Sequence, residues 1–188
     1  MTRPHTPPAE PVADQPLDEF ANCHGGILQH LDDLARLPAL LEPAAQARRI
    51  ATDALGFFDS VVYEHHREEE KELFPAVLDS ATPGDERSRV KALVDRLVQE
   101  HRDVEAAWER LKPHLKQVAK GQDTSLDHNA LAVLVESYRG HARFEEQHFL
   151  PLSKTILGRN GDHMAALGVS LHVRRALPGV MNRFGHRI

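Results

Sequence analysis

The sequence predicts an all-α fold, an up-down-up-down four-helix bundle with a short C-terminal extension. Three observations predict it. Apolar residues recur at steps of three and four in four separate stretches, which places them on one face of a helix. The connections between the stretches are short and carry Pro, Gly and Asp, as turns between antiparallel helices do. No stretch alternates apolar and polar residues in the way a half-buried strand requires. At 188 residues the chain is long enough for one domain to bury a core without disulfides.

Residues 1–15 are rich in proline and poor in large apolar groups, so they are expected to form a disordered tail that cannot offset its ordering entropy. The bundle is expected over residues 16–155. Its first helix runs from Asp18 with Phe20, Ile27, Leu28, Leu31 and Leu34 on one stripe, His24 on the same face, and a stop near Pro38 to Pro43. The second begins after Pro43 and carries Ile50, Ala54, Phe58, Val61, His65 and Glu69 inward, breaking at Pro75. By this phase His65, not His66, continues the stripe.

Thr82, Pro83 and Gly84 supply a turn, and Asp85 and Glu86 suit the start of a helix. The third helix has the most regular pattern: Val90, Val94, Leu97, His101, Val104, Trp108, Leu111 and Leu115 keep one phase. His101 is therefore expected inside. After a turn at Gly121 to Asp127, the fourth helix places Leu131, Leu134, Tyr138, His141, Glu145, His148 and Leu152 on one face. The extension, residues 156–188, is less regular. Met164, Leu167 and Leu171 mark a short helix ended by Pro178 and Gly179. Arg159, Arg174, Arg175, Arg183 and Arg187 against Asp162 make the extension basic, a solvated or self-docking tail on an acidic body.

Composition excludes several classes of function. Cys23 is the single cysteine, so no intramolecular disulfide forms and nothing calls for an oxidising compartment. Prolines interrupt the N-terminus where a signal peptide needs an apolar run, and no stretch approaches a membrane span. A cytoplasmic, non-membrane protein is expected. Net charge of −5 argues against nucleic acid as the main partner. The 13 histidines are the departure from an ordinary composition.

Several of them fall in a repeat. Tyr63 to Pro75, YEHHREEEKELFP, returns in looser form as Arg139 to Pro151, RGHARFEEQHFLP, with His65 over His141 and Glu69 over Glu145. Upstream of each HxxxE pair stands one more histidine, His24 and His101, 77 residues apart. Residues i and i+4 share a helix face, so each pair offers an imidazole and a carboxylate to one place. Two carboxylates buried in an apolar core cost several kcal/mol each unless a cation joins them. Any one of these histidines alone would read as an ordinary buried side chain, but the duplicated plan favours metal. Four His and two Glu suit a pair of divalent ions bridged by carboxylate. Other metal plans do not match, since HExxH and CxxC are absent and only Glu145 to His148 forms ExxH, where a ferritin-type site needs two.

From Asp18 to Pro151 the sequence resembles the hemerythrin-like, or HHE cation-binding, family, through His24, HHREEEKELFP from His65, Glu100-His101, and HARFEEQHFLP from His141. The resemblance implies a non-haem di-iron centre in a four-helix bundle. Carried over by position, its ligands are His24, His65, Glu69, His101, His141 and Glu145. It also implies a small-molecule ligand: oxygen, nitric oxide or peroxide is bound, sensed or reduced at two iron ions, for which zinc can substitute. Two departures from the oxygen carriers point toward the sensing and repair branch. Glu105 stands where those proteins have a second histidine on the third helix, and HxxxE replaces HxxxxD on the fourth. The alternative function is a non-catalytic metal-binding or iron-sensing module, or a zinc-stabilised interaction module.

Other polar residues are expected near the ligands or at the surface. His148 and its repeat counterpart Glu72 are candidates for outer contacts, Glu70 and Glu146 for substitute carboxylates, and Tyr138 for a core aromatic one turn before His141. Cys23 is expected to be incidental. His5, His30, His66, His114, His128, His163, His172 and His186 lack stripe or repeat support and are expected at the surface.

Overall fold

The computed structural model describes residues 15–159, with side chains from residue 23 onward. The expected tail before residue 15, and the extension from residue 160 with its helix around Met164 to Leu171, lie outside the described residues. All regular structure in the described part is helical. It comprises α1 (Gln15–Phe57), a π-helical turn (Phe58–Val62), α2 (Tyr63–Glu68), a second π turn (Glu69–Leu73) and α3 (Phe74–Ser80). Then follow α4 (Asp85–Ala119), α5 (His128–Phe144), a third π turn (Glu145–Phe149) and α6 (Leu150–Leu157).

The expected helix stop at Pro38 to Pro43 does not occur, because α1 passes through both prolines. Each removes one backbone hydrogen bond at a cost of about 3 kcal/mol, and the flanking Ala, Leu, Gln and Arg residues are strong enough helix formers to propagate past them. Nor does the chain break at Pro75 or Pro151, which lie at the starts of α3 and α6. A π turn precedes each, with Phe74 N–H donating to Glu69 and Leu150 N–H to Glu145. Returning from π to α register leaves a carbonyl unpaired in any case, so a proline there removes little. Among the described residues the helices therefore form three long runs, over 15–80, 85–119 and 128–157.

The chain divides into two compact units, residues 1–46 and 47–188. In the first, the stripe side chains Ile27, Leu28, Leu31 and Leu34 are exposed, 50–61% accessible, rather than inward as expected. His24 and Cys23 are exposed as well.

The second unit holds the core. All eight inward positions predicted for the third helix, now α4, are buried. The turn before it contains Gly84 at φ 103°, and Glu86 accepts a hydrogen bond from Thr82 N–H at 2.7 Å. Gly121, at φ 68°, closes α4 with its N–H on Val118 while Gln122 N–H reaches Gln117, the paired C-terminal bonds that favour glycine. Asp127 caps α5 by accepting from the N–H groups of Asn129 and Ala130.

Two apolar clusters fill the unit. One contains Phe74, Val77, Val90, Leu97, Phe149 and Ile156, with the Phe74 and Phe149 rings edge to face at 5.0 Å. The other contains Val104, Trp108, Leu111, Leu115 and Leu134, with Phe58 stacked on Trp108 at 3.8 Å. Along α4 the first cluster ends at Leu97 and the second starts at Val104. His101 lies between them, in a buried polar layer.

Candidate metal centre

That layer consists of His66, Glu69, His101, His141 and Glu145, all buried. Of the histidines, His66 was expected at the surface and is instead 1% exposed. The π turn at Phe58–Val62 is the cause. One extra residue in that turn moves the inward position from Val61 to Val62 and then from His65 to His66, so the stripe reads Phe58, Val62, His66. His65 is displaced to the edge of the layer, its side chain 40% exposed. The third π turn acts likewise in the second half, burying Phe149 and leaving His148 exposed against the Phe144 ring.

The His66 and His101 rings stack at 3.9 Å and within 5° of parallel, and the His141 ring stands edge-on to His101 at 4.7 Å. Each ring has its Nδ1 on a carboxylate. His66 bonds Glu105 at 2.9 Å, His101 bonds Glu70 at 2.9 Å, and His141 bonds Glu100 at 3.3 Å. All three Nε2 atoms are buried without a hydrogen-bond partner. An imidazole whose Nδ1–H is held by a carboxylate presents an Nε2 lone pair, which is the arrangement of a metal-ligating histidine.

Beside this group lies a second, His65 with Glu69 and Glu145. Within each group of three the ligand atoms lie within 4.8 Å of one another. Glu69 joins the groups, with Oε1 3.2 Å from His65 Nε2 and Oε2 3.2 Å from His101 Nε2. The second approach lacks hydrogen-bond alignment, and both atoms remain unsatisfied. A cleft of about 390 Å³ opens on this side, lined by His65, Glu69, Leu73, Ala142, Glu145 and Leu150.

Electrostatics mark the layer as cation-deficient. Burial pushes the carboxyl of Glu69 up to about 7 and that of Glu145 up to about 8, and the two share a hydrogen bond. Burial also lowers His66 to about 4 and lowers His141. Carboxyls driven to bind protons and imidazoles driven to shed them favour the neutral form of each group. The unpaired Nε2 atoms and the carboxylate facing two of the imidazoles fit a metal ion, which supplies the missing positive charge.

The structure thus brings together His65, Glu69, His101, His141 and Glu145 of the predicted set and adds His66. His24 stands in the first unit, outside the groups just described. Glu70, weighed as a substitute ligand, instead holds His101, and Glu105 and Glu100 hold the other two rings. Only the HH dipeptide and the alternative i, i+4 step from Val62 signalled His66 in the sequence. Tyr138 is partly buried, its ring 5.9 Å from that of His141, and burial raises its hydroxyl. His30, His114 and His128 are exposed as expected, whereas His5, His163, His172 and His186 lie outside the described residues.

No helix among the described residues is long and apolar enough to cross a membrane. No curated protein and no solved structure matches the chain. The hemerythrin HHE cation-binding domain does match, over residues 15–153, and with the His and Glu groups in its helical core the chain belongs to that family.

Proposed function

We propose that the chain binds two metal ions, iron in the working protein with zinc as a possible substitute, and that the site binds, senses or reduces oxygen, nitric oxide or peroxide. The observation that carries this reading is Glu69, one oxygen turned to each imidazole group at 3.2 Å. His66, His101 and His141 would hold one ion and His65, Glu69 and Glu145 the other, with Glu69 turned to both groups. His24 is proposed as a further ligand on the sequence repeat alone, and the up-down-up-down four-helix bundle on the four apolar stripes.

When bound, an iron pair supplies electrons and an open coordination position for a small ligand. The protein's own contribution is positional. Glu100, Glu70 and Glu105 orient the imidazoles, and the apolar clusters on either side exclude water from them. The cleft lined by His65, Glu69 and Glu145 supplies an approach for a diatomic or peroxide.

Metal analysis with an ultraviolet-visible spectrum, before and after oxygen and peroxide, tests the proposal. About two irons per chain, with a spectrum that responds, is the expected result. Zinc, or iron with an unresponsive spectrum, would overturn the redox reading. A second reading, a metal-stabilised sensor or interaction module, is favoured by the position of the polar layer between two apolar clusters, where metal would join the halves of the core.

A further inference from the structure

The geometry points to Arg102 as the positioning residue of the three-imidazole group, holding the His66 and His101 rings through one guanidinium. Each intervening carboxylate divides its oxygens in the same way. Glu105 takes His66 Nδ1 on Oε1 and Arg102 Nη1 on Oε2, the latter at 3.1 Å. Glu70 takes His101 Nδ1 on Oε1 and Arg102 Nη2 on Oε2. A continuous chain of bonds therefore runs from His101 through Glu70, Arg102 and Glu105 to His66, and the two rings at its ends are the stacked pair.

The guanidinium matters because two carboxylates within reach of one side chain repel each other. Remove the cation and at least one turns to solvent, releasing its Nδ1–H. The freed ring can then rotate or move its proton to Nε2, and an Nε2–H cannot bind a metal. Lysine does not replace the fork, since an ammonium is a single point charge where the planar guanidinium offers parallel donors to both acids.

His141 provides an internal comparison. Its carboxylate, Glu100, is held by a different arginine, with Arg96 Nε donating at 2.7 Å. Arg102 thus governs two rings and Arg96 the third. The proposal rests on the reading that these imidazoles bind metal, but its first readout does not need the metal.

The experiment compares the full chain with Arg102→Met, Arg102→Lys and Arg96→Met. Nitrogen-15 NMR of the metal-free proteins reports each histidine's tautomer, and titration of zinc against a chromophoric chelator reports affinity. In the unaltered protein His66 and His101 carry the proton on Nδ1. Arg102→Met shifts at least one of them toward the Nε2–H form and weakens the first zinc by about 10–100-fold, as loss of a carboxylate partner does elsewhere. Arg102→Lys falls between, and Arg96→Met leaves both tautomers unchanged. Unchanged tautomers with affinity within about twofold in Arg102→Met would overturn the role. If that variant does not fold, unchanged tautomers and affinity in Arg102→Lys overturn it equally. An unaltered protein that binds neither zinc nor iron refutes the metal reading, while the tautomers still decide what Arg102 positions.

Discussion

His65 and His66 are adjacent in the chain, yet one lines an open cleft and the other is sealed in the core. The difference decides what each substitution does. His66→Ala removes one of three nitrogens from a closed group and is expected to reduce metal from about two ions per chain to about one, as measured by plasma mass spectrometry. Metal content equal to that of the unaltered protein would remove His66 from the ligand set. The buried carboxyls make a prediction about pH. In the metal-free fold Glu69 and Glu145 are raised from 4.5 to about 7 and about 8, so between those values the folded state holds more protons and stability falls as pH rises. His66, lowered from 6.5 to about 4, acts in the opposite sense below 6.5. His141, lowered as well, acts with His66 in an effect that fades above 6.5, so from about pH 6.5 to 8 urea midpoints of the metal-free protein should fall relative to those of a Glu69→Gln, Glu145→Gln variant.

At the scale of elements, the π turns explain why the helical pattern read from the sequence is right in type and wrong in phase at two places. Regular 3.6-residue periodicity cannot announce a five-residue turn, because the residues in it, Phe58 to Val62 for example, are ordinary helix residues. α4 contains no such turn, and there all eight predicted inward residues are buried, Ala107 being the one buried position outside the predicted stripe. Deleting Ser60, an exposed residue of the first π turn, should restore α register and rotate Phe58 against His66 by about 100°. Thermal stability and metal affinity are expected to fall together, since the Phe58–Trp108 stack and the His66 position can no longer both be kept. Retention of both in melting and chelator-competition measurements would show that the turn does not set the phase. Leu97, fully buried next to the polar layer, is a test of the packing itself: Leu97→Ala should cost about 2–5 kcal/mol in urea unfolding.

For the whole molecule, the polar layer predicts a strong link between metal and stability. A ligand that binds only the folded state adds about 2.7 kcal/mol at a hundred times its Kd, so metal removal should lower the melting temperature by several degrees in calorimetry. Identical melting of the metal-free and loaded forms would sink the idea that the layer is completed by cations. The sequence alone carries the all-helical class, the inward face of α4, and a repeat naming five of the six residues that meet at the candidate metal centre. It could do so because helix periodicity and i, i+4 pairing are local properties. Only the tertiary structure decided that His66 joins them, that α1 continues through Pro38 and Pro43, and that Glu70, Glu100 and Glu105 orient rings rather than face solvent. Those outcomes depend on how a widened turn rotates a helix against its neighbours and on which oxygen meets which ring across them, and no spacing within a single helix encodes either.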